Sequence, residues 1–213
     1  SLVRMGLDYV DVFYSHRYDP ETPLEETMQA LVDIVRQGKA LYVGLSKYPA
    51  GKAEEAYRYL EARDVHCLLY QGRYNLFDRA PEEEGILGQA RAYGVGFIAF
   101  SPLAQGLLTS RYLQGVPEDS RMAQGRFLKR EVLTEAVLGK IKALDRVAAD
   151  RGQTLAEMSL AWVLKDELVT SVIIGASSVA QLEDNLKALR KVDFSREELD
   201  RIEAICHTPD GGQ

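Results

Sequence analysis

The chain has 213 residues, near the upper end of the range for one domain, which fits one large domain or two small ones. Hydrophobic residues at 46%, charged residues at 27% and aromatic residues at 8% exclude collagen-like, disulfide-scaffold and low-complexity classes. A net charge of -6 disfavours non-specific binding to nucleic acid or to an anionic membrane and points to a small-molecule partner. Cys67 and Cys206 lie far apart without a metal-type spacing, so two free thiols in a reducing compartment are expected, with no disulfide framework and no metal. No run approaches the ~20 apolar residues of a membrane span and the start carries no signal peptide, which makes the cytoplasm the expected location.

In chain order, Leu2, Val3 and Met5 before Gly6 read as the last turn of a helix with its glycine stop. The sequence is therefore expected to open inside a longer fold. The β-branched and aromatic run from Leu7 predicts a strand ending at His16. Leu24, Met28, Leu31, Val32 and Val35 then fall at helical spacing between Thr22 and Arg36, with Pro23 at the start and Gly38 beyond the end. The alternation continues with strands at Ala40 to Leu45, Val65 to Tyr70 and Val95 to Phe100, and helices at Gly51 to Arg63 and Pro81 to Tyr93. A polar, glycine-rich loop spans Ala104 to Arg130 and is long enough to suggest function. Helices at Glu135 to Arg151 and Thr154 to Lys165, a strand at Val169 to Ile174 and a helix from about Ser178 to Arg190 follow. Ser195 with Glu198 three residues on forms a capping box for a last helix reaching about Ile205, and the tail from His207 is expected to fray. Serial strand-helix units of about 30 residues imply a parallel α/β sheet, either doubly wound or a (β/α)8 barrel, and the pattern alone leaves the two open.

In either architecture ligands sit at the carboxyl ends of the strands. Those ends read Tyr14-Ser15-His16-Arg17, Gly44-Leu45-Ser46-Lys47, Tyr70-Gln71-Gly72-Arg73, Phe100-Ser101-Pro102-Leu103 and Ile174-Gly175-Ala176-Ser177-Ser178. Each places polar groups at one rim, as a binding pocket requires. His16 is the one histidine at such an end and can hydrogen-bond a substrate carbonyl or move a proton. Ser15 lacks the glycines of a nucleophile elbow, and no dinucleotide-type Gly-x-Gly-x-x-Gly follows a strand. Gly175 to Ser178 runs straight into a helix and could hold a phosphate on its free N–H groups, with Gln181, Asp184 and Asn185 on one helical face; a capped, solvated helix explains these residues equally well. Arg111 and Arg121 in the long loop could supply counter-charge for a second phosphate.

The strings Leu7-Asp8-Tyr9-Val10-Asp11 with Tyr14-Ser15-His16, Gly38-Lys39-Ala40-Leu41-Tyr42-Val43-Gly44-Leu45-Ser46, Tyr70-Gln71 with Tyr74-Asn75, Phe100 to Gly106, and Gly175-Ala176-Ser177 with Gln181-Leu182 and Asn185 together resemble the aldo-keto reductase superfamily. The similarity is strongest to the branch of bacterial L-glyceraldehyde 3-phosphate reductases and potassium-channel β-subunits, and it covers nearly the whole chain. It implies a (β/α)8 TIM barrel of which this chain supplies strands four to eight. It further implies reduction of aldehydes or ketones, such as methylglyoxal or glyceraldehyde-type substrates, by hydride transfer from NADPH. By this resemblance His16 is the histidine of the catalytic tetrad, and Ser46 and Gln71 hold the nicotinamide carboxamide. Phe100 stacks on the nicotinamide; Ser101, Leu103 and Gly106 follow the pyrophosphate; Arg111 and Arg121 lie near the adenosine phosphates. Gly175, Ser177, Gln181, Asp184 and Asn185 correspond to the site for the 2′-phosphate and adenine. Asp184 stands where the family more often has glutamate, and Lys47 where it often has asparagine, arginine or serine.

The resemblance places the aspartate, general-acid tyrosine and lysine of the tetrad in three earlier βα units that the sequence does not include. Loss of the acid is expected to cost about 10²- to 10⁴-fold in rate. An excerpt of a full enzyme is the favoured explanation, ahead of a half-barrel that pairs with a partner or itself and of a non-catalytic relative. The alternative function is an NADPH-binding sensor or interaction subunit. A sugar-phosphate isomerase or aldolase on the same barrel is the weakest reading, for want of a strand-end lysine or paired carboxylates. Homo-oligomerisation is left open.

Overall fold

The computed structural model describes residues 1–113 and 130–207. These residues fold as two compact units: residues 1–72, 80–99 and 168–171 form the first, and residues 73–79, 100–113, 130–167 and 172–207 the second.

The first unit begins with α1 (Leu2–Met5), closed by Gly6 at φ 66, and β1 (Val10–Ser15). The expected strand from Leu7 starts three residues late. The Leu7 N–H is spent on the Leu2 carbonyl (3.2 Å), and Val10 is the residue that meets β2 through Lys39 O (3.1 Å). Helix α2 (Leu24–Arg36) follows Pro23 and buries Leu24, Met28, Leu31 and Val32, the stripe that helical spacing predicts. Then come β2 (Ala40–Ser46), α3 (Ala50–Glu61) and β3 (Cys67–Arg73). β3 also starts later than expected, because Val65 N closes the end of α3 by bonding to Leu60 O (3.1 Å). The single helix predicted over Pro81 to Tyr93 is two, α4 (Ala80–Glu83) and α5 (Ile86–Ala92). Gly85 at φ 76 separates them, a left-handed geometry that no helix interior accommodates. β4 (Gly96–Phe100) and the short β5 (Ser171–Ile173) complete one sheet in the order β1-β2-β3-β4-β5. β1, β2 and β3 pair in parallel, and the sheet, in sequence order with helical crossovers, is part of a (β/α)8 barrel.

In the second unit the long loop carries 3₁₀ turns at Ala104–Gly106, Ser110–Tyr112 and Arg130–Val132. Arg121 and the tail beyond His207 lie outside the described residues. α6 (Glu135–Asp150) is capped by Thr134 and buries Ile141, Leu144, Val147 and Ala148. α7 (Leu155–Val163) is apolar almost all round and carries a Thr154–Glu157 capping box. α8 (Val179–Leu186) tightens into a 3₁₀ turn at Lys187–Arg190, so the predicted helix over this stretch changes type before its end. α9 (Arg196–Cys206) has the Ser195–Glu198 box that the sequence predicts. No helix of the described residues is long and apolar enough to cross a membrane.

Arg151, just past α6, ties this unit together. Its side chain is 1% exposed, bonds Glu198 at 2.5 Å and Gln153 Oε1 at 2.9 Å, and donates to the carbonyls of Lys191 (3.4 Å) and Asp193 (3.0 Å). Its guanidinium also lies 3.7 Å over the Phe194 ring. All three nitrogens of a permanently charged group thereby donate and one of its faces is stacked, the condition under which a buried arginine is tolerated. Arg151→Met is expected to lower unfolding stability by about 2–4 kcal/mol, since it removes the cation paired with Glu198 and the side-chain donor to Asp193 O; urea unfolding measures the loss, and an unchanged midpoint would contradict it.

Both cysteines are free. Burial pushes the Cys67 thiol from an ordinary value of 9.0 up to about 12, and that of Cys206 up to about 11. A folded pKa above the unfolded one favours the neutral thiol. The stability this contributes is complete below the ordinary value of 9.0 and is lost as pH climbs toward about 12. Alkylation of the native protein near about pH 8 should therefore be very slow at Cys67, slower than at Cys206, and rapid at both in denaturant. Mass spectrometry of the time course checks the order.

Candidate functional site

Parallel pairing sets the geometry of the first unit's strand ends. The register pairs Tyr14 with Gly44 and Ser15 with Leu45, then Gly44 with Leu69, Leu45 with Tyr70 and Ser46 with Gln71. Side chains alternate along each strand and register partners share a face, so Tyr14, Gly44, Ser46, Leu69 and Gln71 lie on one side of the sheet. His16 follows directly after Ser15, at the exposed end of β1. The structure thus brings Ser46 and Gln71 together as neighbours on adjacent strands and sets His16 at the end of the strand beside them. Ser46 is buried at 4% exposure, whereas His16 is exposed.

Gly44 is required there. A Cβ at this position would sit 2.5 Å from the Tyr14 ring, so the ring lies flat across the β2 backbone. Burial raises the Tyr14 phenol above its usual value.

The opposite face anchors the rim. The Ser15 hydroxyl and the Tyr48 hydroxyl are 2.7 Å apart, and Tyr70 donates to the Tyr48 carbonyl at 2.7 Å. Lys47, at φ 56, makes the turn that folds Tyr48 back beneath the strand ends. Burial pushes Tyr70 up to about 12 and raises Tyr48, whose bond to Ser15 works the other way. Both phenols stay neutral and act as fixed hydrogen-bonding props. Sequence reasoning missed Tyr48; an aromatic directly before Pro49 at a helix entrance was the available signal.

The second unit holds the other candidates. After Phe100 the chain enters a turn in which Ser101, Ala104 and Gln105 have φ of 54, 47 and 60, and Gly106 has φ 104. Phe100 O accepts from Tyr74 N (3.4 Å), and Ser101 O accepts from Ala104 N (2.9 Å) and from Asn75 Nδ2 (3.0 Å). Leu103 O takes the N–H groups of Gly106 (2.8 Å) and Leu108 (3.2 Å), and Thr109 Oγ1 donates to Gly106 O (2.7 Å). Phe100, Ser101, Leu103 and Gly106 are therefore gathered in one closed turn. Arg111 is exposed in the next 3₁₀ turn, its N–H on Thr109 Oγ1 (3.3 Å).

At the end of β5, Gly175 leads to Ser177 and Ser178. Ser178 caps α8 by accepting from Gln181 N (3.2 Å), and Ser177 gives both its N–H (2.7 Å) and its hydroxyl (2.9 Å) to Gln181 Oε1. Ser177 and Gln181 are thus brought together. Asp184, grouped with them by helical spacing, turns to Lys187 Nζ at 2.6 Å, and that pairing raises the lysine pKa. Asn185 is buried at 6% exposure, and its Nδ2 has no hydrogen-bond partner. Gln105 Oε1, in the turn after Phe100, is likewise buried without a partner. Tyr57 Oη and Gln89 Oε1 are also buried without a partner, but only the Asn185 donor lies on a candidate residue and only the Gln105 acceptor lies in the turn holding several of them, and both are chemically compatible with a polar cofactor such as NADP(H). Gln105 had gone unnoticed as a candidate in the sequence.

The aldo/keto reductase family profile matches residues 1–207. An L-glyceraldehyde 3-phosphate reductase of Escherichia coli (strain K12) is 48% identical over 99% of this chain and 62% of its own length. A probable voltage-gated potassium channel subunit beta of Oryza sativa subsp. japonica is 38% identical over 98% of this chain and 65% of its own. Among solved structures, a thermostable aldo-keto reductase crystallised with the inhibitor epalrestat superposes with a TM-score of 0.71 and 30% identity, over 96% of this chain and 62% of that one. The chain spans less than two thirds of the length of each of these relatives. A profile matched from the first residue to the end of α9, on a parallel sheet with its polar groups at the strand ends, establishes that the chain belongs to the aldo/keto reductase family.

Proposed function

We propose that the protein reduces small aldehydes or ketones by hydride transfer from NADPH, and that residues 1–213 are the C-terminal part of one barrel whose first three βα units belong to a longer chain. The pairing of Ser46 with Gln71 at the ends of β2 and β3 carries the reading, because it presents two polar side chains side by side, suited to a planar carboxamide. The similarity to L-glyceraldehyde 3-phosphate reductase supports a small, polar carbonyl such as methylglyoxal or a glyceraldehyde-type substrate, met in the cytoplasm. Exposed apolar side chains support the larger barrel. Val3, Met5, Leu7 and Tyr9 in the first unit are all at least half exposed or nearly so, and in the second Val179, Leu182, Leu186 and Leu189 run along α8 into the following turn.

In this reading His16 donates a hydrogen bond to the substrate carbonyl and stabilises the negative charge that grows on its oxygen. Ser46 and Gln71 fix the nicotinamide, Phe100 packs on its ring, and the turn through Ser101, Leu103 and Gly106 takes the pyrophosphate. Ser177, Gln181, Asp184 and Asn185 hold the adenosine end, with Arg111 and Arg121 adding positive charge. NADPH, when bound, supplies the hydride. The proton that completes the alcohol comes from a group outside these residues.

The 38% identity to a potassium channel subunit beta favours a second reading, an NADPH-binding interaction subunit with little turnover. Aldehyde-dependent oxidation of NADPH by the full-length protein separates the two. A reductase should consume cofactor only when aldehyde is present, and His16→Ala should cut kcat about 10²-fold with little change in NADPH affinity. Tight NADPH binding without aldehyde-dependent turnover would give the second reading; no NADPH binding at all would remove both.

A further inference from the structure

Residues 100–106 adopt a shape that non-glycine residues avoid unless their surroundings enforce it, with Ser101, Ala104 and Gln105 all in the left-handed region. The enforcing group comes from elsewhere in the sequence. Asn75 is 2% exposed, and every polar group it has is engaged. Its N–H and carbonyl exchange hydrogen bonds of 3.1 Å with Asp78, and its Oδ1 accepts from Phe77 N at 2.9 Å. Because Oδ1 must face that N–H donor, the amide is oriented and Nδ2 can only be the group that reaches Ser101 O at 3.0 Å. The neighbouring Tyr74 N–H binds Phe100 O, so two consecutive residues grip two consecutive carbonyls. Tyr74 is itself held by Lys165, whose Nζ donates to its hydroxyl at 3.0 Å, and by Trp162, with ring centroids 5.3 Å apart.

We propose that Asn75 is a positioning residue that holds residues 100–106 in the form along which NADPH binds, acting through the Ser101 carbonyl and touching no cofactor atom itself. The inference rests on the NADPH reading given above. At 2% exposure Asn75 offers a ligand almost no surface, and its Nδ2 is committed to Ser101 O, so its influence passes through the turn.

The test uses Asn75→Asp, which keeps an oxygen for Phe77 N but has no donor for Ser101 O, with Asn75→Ser as a second variant should the first not fold. Two quantities are read on each: the Kd for NADPH, and amide hydrogen exchange at Ala104 and Gly106 against exchange in α9. Loss of one oriented hydrogen bond is expected to raise the Kd about tenfold and to speed exchange in the turn about tenfold while α9 is unchanged, with kcat at saturating NADPH largely retained. Unchanged exchange in the turn would overturn the proposal, and so would faster exchange with an unchanged Kd. A global effect on folding would instead speed exchange in α9 equally, and that too would overturn it. A wild-type protein that does not bind NADPH removes the functional reading and this role with it, an outcome that the exchange data keep distinct from a turn that does not need Asn75.

Discussion

Ser46 and Gln71 are neighbours because β2 and β3 run parallel and in a register that pairs them directly. The parallel pairing of β1 with β2 likewise sets Tyr14 beside Gly44 and leaves His16 at the adjoining strand end. Parallel strands joined by helices must all exit on one edge, so whatever polar residues close each strand are delivered to a common rim without further instruction. The helices have the complementary task. α2 and α3 bury Met28, Leu31, Val32, Ala53, Ala56 and Leu60, and so hold the sheet by apolar contact on the side away from the rim.

The rim itself is stabilised by polar means. Ser15, Tyr48 and Tyr70 form a chain of hydrogen bonds in which both phenols are kept neutral by burial. Two partly hidden hydroxyls that can each give and take a proton are better suited to fixing a strand end than a charged pair, which would have to be desolvated. In the second unit Arg151 does accept that desolvation, and it is tolerated because Glu198, Gln153 and two carbonyls surround the guanidinium. The capping boxes at Thr154 and Ser195 fix where α7 and α9 start, so the segments that meet Arg151 arrive in defined positions.

Much of the strand-helix alternation was legible because it is written in short-range chemistry. The Leu24 to Val35 stripe, the stop at Gly6 and the Ser195–Glu198 box each act within a few residues, and each appears where the periodicity or the cap places it. What escaped depends on partners far away or on backbone sign. Leu7 has strand composition but no strand to pair with, its N–H having returned to Leu2. Gly85 looks permissible inside a helix until its positive φ divides Pro81 to Tyr93 in two. Among the site residues, strand-end position was readable from spacing, but side-chain engagement was not. Asp184 and Gln181 share a helix, yet the lysine at 187 draws one away while Ser177 holds the other. Tyr48 and Asn75 carried no periodic signal, since their roles are set by carbonyls and hydroxyls that only the folded chain brings near, and Gln105 stands out only because the fold buries it without a partner.

The close approach of Tyr14 to Gly44 also bears on how such a sequence can drift. A Cβ on residue 44 would need the space that the phenol ring fills, so residue 44 cannot gain a side chain unless residue 14 shrinks or its ring moves. Relatives that carry a side chain at 44 should therefore have a smaller or shifted residue at 14. A change that starts at residue 44 then passes through an intermediate whose packing is worse than that of either end point.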